Sequence, residues 1–197
     1  MDNFKQPHII AASPLVYYID VIPKKLIDIM VEEVMEIEKN DVNFEQSGIG
    51  GNDTWFDSKI RNSKIHWWYD SHWACSIISH YIGLANRQYW EYDLNILQSI
   101  QVSSYGEGCH YSWHSDYGTS KDGNMTRKLS ASILITDPSE YEGGDLEFVD
   151  YHNNIIQSPK QRGSVIVFDS RVPHRVTPVT KGKRVSLVTW MLGPKLK

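Results

Sequence analysis

The stretch Leu129-Ser-Ala-Ser-Ile-Leu-Ile135 places an apolar side chain at every second position. A period of two is typical of a β-strand that buries one face, because successive side chains of a strand point to opposite sides. The same alternation recurs in residues 100–102, in residues 146–148 after the Gly143-Gly144 turn, and in residues 184–190. The second half of the chain is therefore predicted to consist of short, mostly antiparallel strands.

Two further segments extend this prediction. Val165 to Phe168 is apolar throughout, as expected of a strand covered on both faces. Asn153-Asn154 has the composition of a hairpin tip. Many short strands separated by turn residues favour a double-stranded β-helix, the jelly roll. The expected fold class is mainly β, with supporting helices at the N-terminal end.

The first half of the chain shows helical periodicity instead. Leu15 to Ile19 is predicted to be a strand, and Pro23 is acceptable in the first turn of the helix that follows. That helix carries an apolar stripe and ends at Asn40-Asp41, and a second helix begins near Asp70 or Ser71. The stripes consist of Leu26, Met30, Val34 and Ile37 in the first helix, and of Trp73, Ile77, Tyr81 and Leu84 in the second. We expect one domain over 1–197, with helical support and a possible lid in 1–90 and the jelly-roll core in 91–197.

Composition narrows the functional classes. The chain has 197 residues, a formal net charge of -4 and a pI near 6.0, which gives no overall attraction to nucleic acid or to an anionic membrane. Its two cysteines, Cys75 and Cys109, form no CxxC pair. No apolar run is long enough to span a membrane. We expect a cytoplasmic protein that is a monomer or homodimer and has free thiols.

The segment His114-Ser-Asp116 is the strongest chemical signal in the sequence. If it is extended, both functional side chains point to the same side and can reach one metal ion. Two imidazoles and one carboxylate are the ligand set that holds Fe(II) on one face and leaves the other face open. His174, on a later strand, is the best-placed third ligand. Arg184 follows ten residues further on, with Ser186 two positions beyond it.

These residues belong to an ordered series of motifs that resembles a known family. The series covers roughly residues 85 to 194 and consists of Gln101-x-x-x-Tyr105-Gly-x-Gly-x-x-Tyr111-x-x-His114-x-Asp116, Arg127-Lys-Leu-Ser130, Tyr141-Glu-Gly-Gly144-Asp-Leu146, Gly163-x-x-x-x-Phe168 and His174-Arg-Val-x-Pro178-Val-x-x-Gly182-x-Arg184-x-Ser186. It is similar to the 2-oxoglutarate- and Fe(II)-dependent oxygenases, in particular to the prolyl-4-hydroxylase-like branch with its PKHD-type hydroxylases.

The resemblance implies a role for each of the matching residues. His114, Asp116 and His174 would bind Fe(II), and Arg184 would pair with the distal carboxylate of the cosubstrate 2-oxoglutarate. Further contacts to the cosubstrate, or walls of its pocket, are expected from Tyr105, Ser130, Ser186 and Trp190. The implied reaction consumes O2 and 2-oxoglutarate, releases succinate and CO2, and hydroxylates a C–H bond. Ascorbate is expected to be supportive.

One departure from the family pattern and one comparison with related enzymes bear on this implication. Animal prolyl hydroxylases often carry a second tyrosine on the strand after the Arg127 position, where this chain has residues Ser132 to Leu134. No cosubstrate contact is assigned to them. Related halogenases replace the metal-binding carboxylate with a small residue, so Asp116 argues against that chemistry.

The substrate is the least determined part of the prediction. A prolyl residue in a protein or peptide ranks first, with the loop Gly48 to Asp53 and an aromatic platform of Trp55, Trp67, Trp68 and Trp113 as a possible lid and substrate wall. A nucleic-acid demethylase is an alternative, although Lys and Arg form only sparse clusters. A hydroxylase of free amino acids or other small metabolites, and a non-catalytic jelly-roll binding module, are also open.

Overall fold

A computed structural model describes residues 8–12, 15–39, 44–49, 55–120 and 123–195 of the chain. The helices are α1 (Lys24–Lys39) and α2 (Ala74–Ala85), and α2 continues into a π-helical turn (Asn86–Trp90). The strands are β1 (His8–Ala12), β2 (Leu15–Ile19), β3 (Glu45–Gln46), β4 (Arg61–Asn62), β5 (Lys64–Trp68), β6 (Ile96–Leu97), β7 (Ile100–Tyr105), β8 (His110–His114), β9 (Met125–Leu134), β10 (Tyr141–Gly143), β11 (Leu146–Val149), β12 (Ile155–Gln157), β13 (Val165–Asp169), β14 (His174–Val176), β15 (Val179–Gly182) and β16 (Arg184–Pro194).

These strands form two principal sheets. The larger has the order β1-β2-β13-β9-β16-β7-β5-β3, with β6 added beside β16. The smaller has the order β12-β11-β14-β8-β4, and β10 pairs with β15 as a separate ribbon. All strand pairs are antiparallel and most neighbours are distant in sequence. The predicted jelly-roll fold is confirmed.

The alternation along β9 divides the larger sheet into two faces. Leu129, Ala131 and Ile133 are almost fully buried in a core cluster that also contains side chains of α1 and α2. The opposite face of β9 carries serines and points between the two sheets. Burying a side chain of leucine or isoleucine size contributes about 1.5–3 kcal/mol. The helices therefore seal the outer face of the large sheet and leave its inner face for a polar cavity.

Helix α1 agrees with its sequence pattern. Its buried residues are Ile27, Met30 and Val34, and Leu26 and Ile37 pack partly buried beside them. Residues 40–43, where the sequence predicts the end of the helix, lie outside the described residues.

Helix α2 corrects the sequence prediction in two ways. It begins three to four residues later than Asp70 or Ser71, at Ala74. Its fully buried stripe is also displaced by one residue from the predicted one and consists of Ala74, Cys75, Ile78, Ile82 and Ala85. The predicted stripe, Trp73, Ile77, Tyr81 and Leu84, is only partly buried at the border. The small and medium side chains of the buried stripe allow the helix to pack close to the sheet. Tyr81 lies at the border of this contact, where its hydroxyl donates a hydrogen bond to the Val21 carbonyl.

The first 90 residues contribute more than helical support. Strand β2 pairs with β13 and β5 pairs with β7, so this part of the chain extends the larger sheet on both sides. The expected division at residue 90 therefore does not separate two structural units. Of the predicted lid, residues 50–54 lie outside the described residues. Among the described residues, no helix is long and apolar enough to cross a membrane.

Candidate active site

A cavity of about 530 Å³ lies between the two sheets. Its walls combine residues from β7, β9 and β16 of the larger sheet with residues from β8 and β14 of the smaller one. The segment 115–120, which follows β8, lies along the same cavity. Because polar residues from distant parts of the chain meet here, this cavity is the candidate active site.

Three potential metal ligands converge in this cavity. His114 ends β8, His174 begins β14, and the two residues are direct partners in the antiparallel register. The Asp116 carboxylate lies between them, with Oδ1 3.7 Å from His114 Nε2 and Oδ2 3.5 Å from His174 Nε2. One ligand atom from each residue lies within 4.8 Å of the others. This separation suits three donors around one cation.

Both imidazoles are oriented by a hydrogen bond from Nδ1 to the backbone carbonyl two residues earlier. His114 Nδ1 lies 2.8 Å from the Ser112 carbonyl, and His174 Nδ1 lies 2.9 Å from the Val172 carbonyl. A carbonyl oxygen only accepts hydrogen bonds, so Nδ1 carries the proton in each ring. The lone pair then resides on Nε2, which faces Asp116. A second-shell hydrogen bond of this type fixes the tautomer and direction of a metal-binding histidine.

The electrostatics of the three residues fit a cation. Burial raises the pKa of the Asp116 carboxyl, but His174, His114 and Arg127 together outweigh it, and the net pKa lies below the usual range. Its Oδ2 atom is buried and has no hydrogen-bond partner in the described part of the chain. An ionised, buried and unpaired carboxylate oxygen is costly unless a cation accompanies it. These residues therefore fit a divalent metal.

His114 is prepared for the same role. Burial, together with repulsion from His174, lowers the pKa of its imidazole to about 3. The ring is therefore neutral at physiological pH and needs to release no proton before it can act as a ligand. The Tyr111 ring stacks on it with a centroid distance of 3.5 Å, and Phe168 contacts His174 edge-on at 4.8 Å. Aromatic walls thus hold the ligand rings in place.

Arg184 lies in the same cavity and is 3% exposed. Its Nη1 donates to Ser186 Oγ at 2.9 Å, and its guanidinium carbon lies 5.5 Å from the centroid of the Tyr105 ring. No carboxylate of the described residues lies within 4.0 Å of it, since it takes part in none of their ion pairs. A buried guanidinium without a counter-ion indicates a site for an anionic ligand.

Gly144 leaves space for the Arg184 side chain beside the cavity. Its φ is +58°, which disfavours residues with a side chain. A Cβ atom at this position would also lie 3.0 Å from Arg184 Cδ. The Gly143-Gly144 turn therefore leaves room for the arginine stem.

Comparison with known proteins agrees with this geometry. Residues 100–192 match the family model of the 2OG-Fe(II) oxygenase superfamily. This part of the chain is similar to that superfamily. It contains the converging histidines and aspartate, as well as Arg184, which confirms the family expected from the motifs.

Curated relatives match about half of the chain. It is 34% identical over 92 residues to a PKHD-type hydroxylase of Sphingopyxis alaskensis, and 32% identical over 102 residues to one of Cupriavidus metallidurans. These matches cover 46% and 49% of this chain but only 42% and 44% of the relatives. The chain thus spans less than half the length of the hydroxylases that it matches.

The fold likeness extends over nearly the whole chain. A prolyl-4-hydroxylase of Pseudomonas putida has a TM-score of 0.72 at 20% identity, with 93% of this chain and 94% of that chain covered. A Trichoplax adhaerens prolyl hydroxylase, solved with a peptide fragment of hypoxia inducible factor, has a TM-score of 0.75 at 19% identity, with coverages of 91% and 84%. At this identity the likeness shows a shared fold.

The oxygenase cavity receives most, but not all, of the predicted cosubstrate residues. Tyr105, Ser186 and Trp190 line it, together with Arg184. Ser130 does not line it and is a correction to the prediction. Its hydroxyl is fully buried 2.9 Å from Ser170 Oγ, a hydrogen bond that satisfies it outside the cavity. Ser132, to which no contact was assigned, is the β9 serine that lines the cavity.

The predicted aromatic platform is only partly assembled. Trp67 lines the cavity, and its ring centroid lies 6.4 Å from that of Trp190. Trp68 is buried in the core behind the sheet, while Trp55 and Trp113 are exposed and are not part of the cavity wall. Phe56 takes a place in the wall that the sequence prediction did not assign.

Two arginines of the cavity have no predicted role. Arg61 comes from the short strand β4 and Arg127 from the start of β9. The sequence around Arg61, Arg-Asn-Ser-Lys, is polar and has the composition of an exposed segment. Only the pairing of β4 with β8 brings it beside Tyr111. No local signal in the sequence could have indicated this position.

Proposed function

We propose that this protein is a 2-oxoglutarate- and O2-dependent Fe(II) hydroxylase that acts on a prolyl residue in a protein or peptide and releases succinate and CO2. The observation that carries the proposal is the pairing of two features in one cavity. One is the converging donor set of His114, Asp116 and His174, and the other is the buried Arg184 without a counter-ion. A cation site beside an anion site is what a metal with a chelating dicarboxylate requires.

Each residue has a defined task in this proposal. His114 Nε2, His174 Nε2 and the Asp116 carboxylate would hold Fe(II), which, together with 2-oxoglutarate and O2, supplies the oxidising power for hydroxylation. Arg184 would pair with the distal carboxylate of 2-oxoglutarate, and Ser186 is positioned to add a hydrogen bond. Because Ser186 Oγ already accepts from Arg184, its own proton is free to be donated to the carboxylate. The Tyr105 ring packs beside the guanidinium.

The walls of the cavity support an apolar reacting group. Trp67 and Trp190 line it, together with the exposed Phe56, and give it apolar surfaces. A pyrrolidine ring presents apolar faces and no donor, so it suits such walls. The solved structures of similar fold include a prolyl-4-hydroxylase and a prolyl hydroxylase bound to a peptide, which favours a prolyl substrate within a polypeptide. We further propose a cytoplasmic location, in keeping with the free thiols of Cys75 and Cys109.

The experiment that tests the function is a succinate-release assay with Fe(II), 2-oxoglutarate, O2 and ascorbate. Proline-containing peptides, methylated oligonucleotides and free amino acids are the candidate substrates, and ascorbate is omitted in one series. Only the prolyl peptides are expected to stimulate succinate release and to gain the mass of one oxygen atom. Oxidation confined to a nucleobase or a free amino acid would contradict the prolyl substrate, while it would leave the oxygenase reaction intact.

His174→Ala tests the metal centre in the same assay. The change removes one of three ligands, so Fe(II) retention and 2-oxoglutarate turnover are expected to be lost although the sheets remain folded. His152→Ala is the matched control, since His152 is exposed in the turn between β11 and β12. Turnover by His174→Ala at the wild-type rate would show that the ligand assignment is wrong.

A further inference from the structure

Besides Arg184, the cavity contains a second buried guanidinium that has no counter-ion among the described residues. Arg61 is 7% exposed, and its Nη1 donates to the Gly48 carbonyl at 3.0 Å. Its Nε donates to Ser63 Oγ at 3.3 Å. Both acceptors are neutral, and no carboxylate of the described residues forms an ion pair with Arg61. The positive charge is thus buried without a negative partner.

Arg127 is a third arginine of the cavity; it is partly buried and forms no ion pair with a carboxylate of the described residues. Its Nε donates to Gln98 Oε1 at 2.7 Å, and its guanidinium carbon lies 3.8 Å from the centroid of the Trp190 ring. Neither terminal nitrogen makes a hydrogen bond within the described ranges of the chain. Burial lowers the pKa of Arg127; the Asp116 carboxylate opposes this shift, and the charge of Arg61 adds to it. The two arginines therefore lie close enough to repel each other.

Both arginines lie one aromatic ring away from the metal ligands. Arg61 is stacked 4.5 Å over Tyr111, the ring that stacks on His114. Trp190 lies under Arg127 on the other side, and its indole N–H is close enough to lower the pKa of Asp116 without making a hydrogen bond of normal geometry. A substrate atom that faces the metal would consequently lie within reach of both guanidinium groups.

A charge count shows why these two arginines matter. Fe(II) carries two positive charges and 2-oxoglutarate carries two negative charges. Asp116 adds one negative charge, and Arg184 adds one positive charge. The loaded centre is therefore neutral in formal charge, and Arg61 and Arg127 remain without compensation. The only carboxylate of the described cavity residues besides Asp116 is Glu45, which is exposed at the rim. Leaving two neighbouring guanidinium groups uncompensated, one buried and one partly buried, is unfavourable.

We infer that the substrate supplies the missing negative charge, and that Arg61 and Arg127 bind a carboxylate adjacent to the C–H bond that is hydroxylated. The inference rests on the proposed function and specifies its substrate as anionic. A carboxylate suits the planar fork of a guanidinium because it can accept two parallel hydrogen bonds. Its source is either an acidic side chain next to the reacting residue of a peptide or the free carboxylate of a small molecule.

The test compares pairs of ligands that differ only in charge. One pair is a capped Glu-Pro-Glu peptide and its Gln-Pro-Gln counterpart, and the other is N-acetylproline and N-acetylprolinamide. Binding to the protein loaded with Fe(II) and 2-oxoglutarate is measured by calorimetry without O2, so that no turnover occurs. In at least one pair the acidic member is expected to bind about tenfold more tightly, which corresponds to about 1.4 kcal/mol. The preference is expected to shrink as salt is added. The pair that shows it identifies the source of the carboxylate.

Variants assign the preference to the two arginines. Arg61→Gln and Arg127→Gln are each expected to reduce the preference at least severalfold, while Arg127→Lys keeps part of it because the charge remains. Arg175→Gln is the matched control: Arg175 also stacks on a tryptophan, 4.7 Å over Trp113, but it is paired with Glu147 and lies outside the cavity wall. This variant is expected to keep the wild-type preference. Circular dichroism melting shows whether each variant is folded.

Two results would overturn the inference. The first is equal binding of the acidic and neutral members of both pairs to the wild type. The second is an undiminished preference in folded Arg61→Gln and Arg127→Gln. Failure of the proposed function gives a different result, because then the wild type neither binds 2-oxoglutarate nor releases succinate from it. The two failures are therefore distinguishable.

Discussion

Six of the seven arginines of this protein fall into two groups that differ in their partners. Three line the cavity, and none of them has a carboxylate within 4.0 Å among the described residues: Arg61, Arg127 and Arg184. Three others lie outside it and are each paired with an acidic side chain: Arg162 with Asp28 at 2.9 Å, Arg171 with Asp169 at 2.6 Å and Arg175 with Glu147 at 2.7 Å. The three cavity arginines thus lack the acidic partners that these three arginines outside the cavity have.

This difference is the opposite of what stability alone would favour. A charge removed from water requires a counter-ion more than an exposed one does, since solvent screens the exposed charge. The cavity arginines therefore point to ligands, and the paired ones to structure.

The largest effect is expected from Arg184→Leu on the binding of 2-oxoglutarate. Removing one partner of a buried, hydrogen-bonded charge pair costs about 2–5 kcal/mol, or roughly 30- to 5,000-fold in affinity. The apparent Michaelis constant for 2-oxoglutarate is expected to rise accordingly, while Fe(II) is retained. Arg184→Lys should restore only part of the affinity, because an ammonium group cannot reproduce the planar fork. An unchanged Michaelis constant in Arg184→Leu would remove Arg184 from the cosubstrate site.

A smaller effect, on stability rather than binding, is expected from Asp169→Asn. The Asp169 carboxylate is buried and accepts hydrogen bonds from Tyr92 at 2.6 Å and from Arg171 Nε at 2.9 Å. Its loss is expected to reduce the free energy of unfolding by about 2 kcal/mol, measured by urea denaturation. Tyr92→Phe removes one of these bonds and should cost less.

The stability difference between the wild type and Asp169→Asn is expected to depend on pH. Burial opposes ionisation of Asp169, but the hydrogen bonds from Arg171 and Tyr92 outweigh it and hold the pKa of the carboxyl below its usual range. A depressed folded-state pKa contributes stability above the unfolded value of about 4 and loses it as the pH falls through the folded value. The difference between wild type and Asp169→Asn should be constant above about pH 5 and shrink at lower pH. A difference that grows on acidification would contradict the assignment.

The smallest effect is expected for Arg184→Leu in the protein free of metal and 2-oxoglutarate. In contrast to Asp169→Asn, this change is expected to raise the stability. Removing a buried charge without a counter-ion relieves its desolvation, so the free energy of unfolding is expected to rise by about 1 kcal/mol. The same urea denaturation measures it. A loss of stability as large as that of Asp169→Asn would show that the cavity and paired arginines do not differ in the proposed way.

Much of this architecture follows from local patterns in the sequence. Period-two alternation located β7, β9 and β11, and the apolar run from Val165 to Phe168 correctly indicated a strand buried on both faces. The ligand set was accessible because His114 and Asp116 are neighbours on one extended segment. These features depend on side-chain order along a single strand, which the sequence displays directly.

Other features depend on strand register and could not be derived in this way. Ser130 and Ser132 lie on the same face of β9, yet only Ser132 reaches the cavity, because Ser130 meets Ser170. Arg61 enters the cavity through the pairing of β4 with β8, a contact between segments about fifty residues apart. The stripe of α2 was displaced by one residue because Ala74 and Ala85 permit closer packing than the aromatic residues beside them.

The most direct test of the central claim is the dependence of 2-oxoglutarate binding on the metal. Calorimetric titration of 2-oxoglutarate without O2 is carried out on wild-type protein with and without Fe(II), and on His174→Ala with Fe(II). If the donor set and Arg184 form one site, the wild type binds 2-oxoglutarate tightly only when Fe(II) is present, and His174→Ala binds it as weakly as the metal-free protein. Equal affinity in all three samples, or no binding in any, would contradict the account.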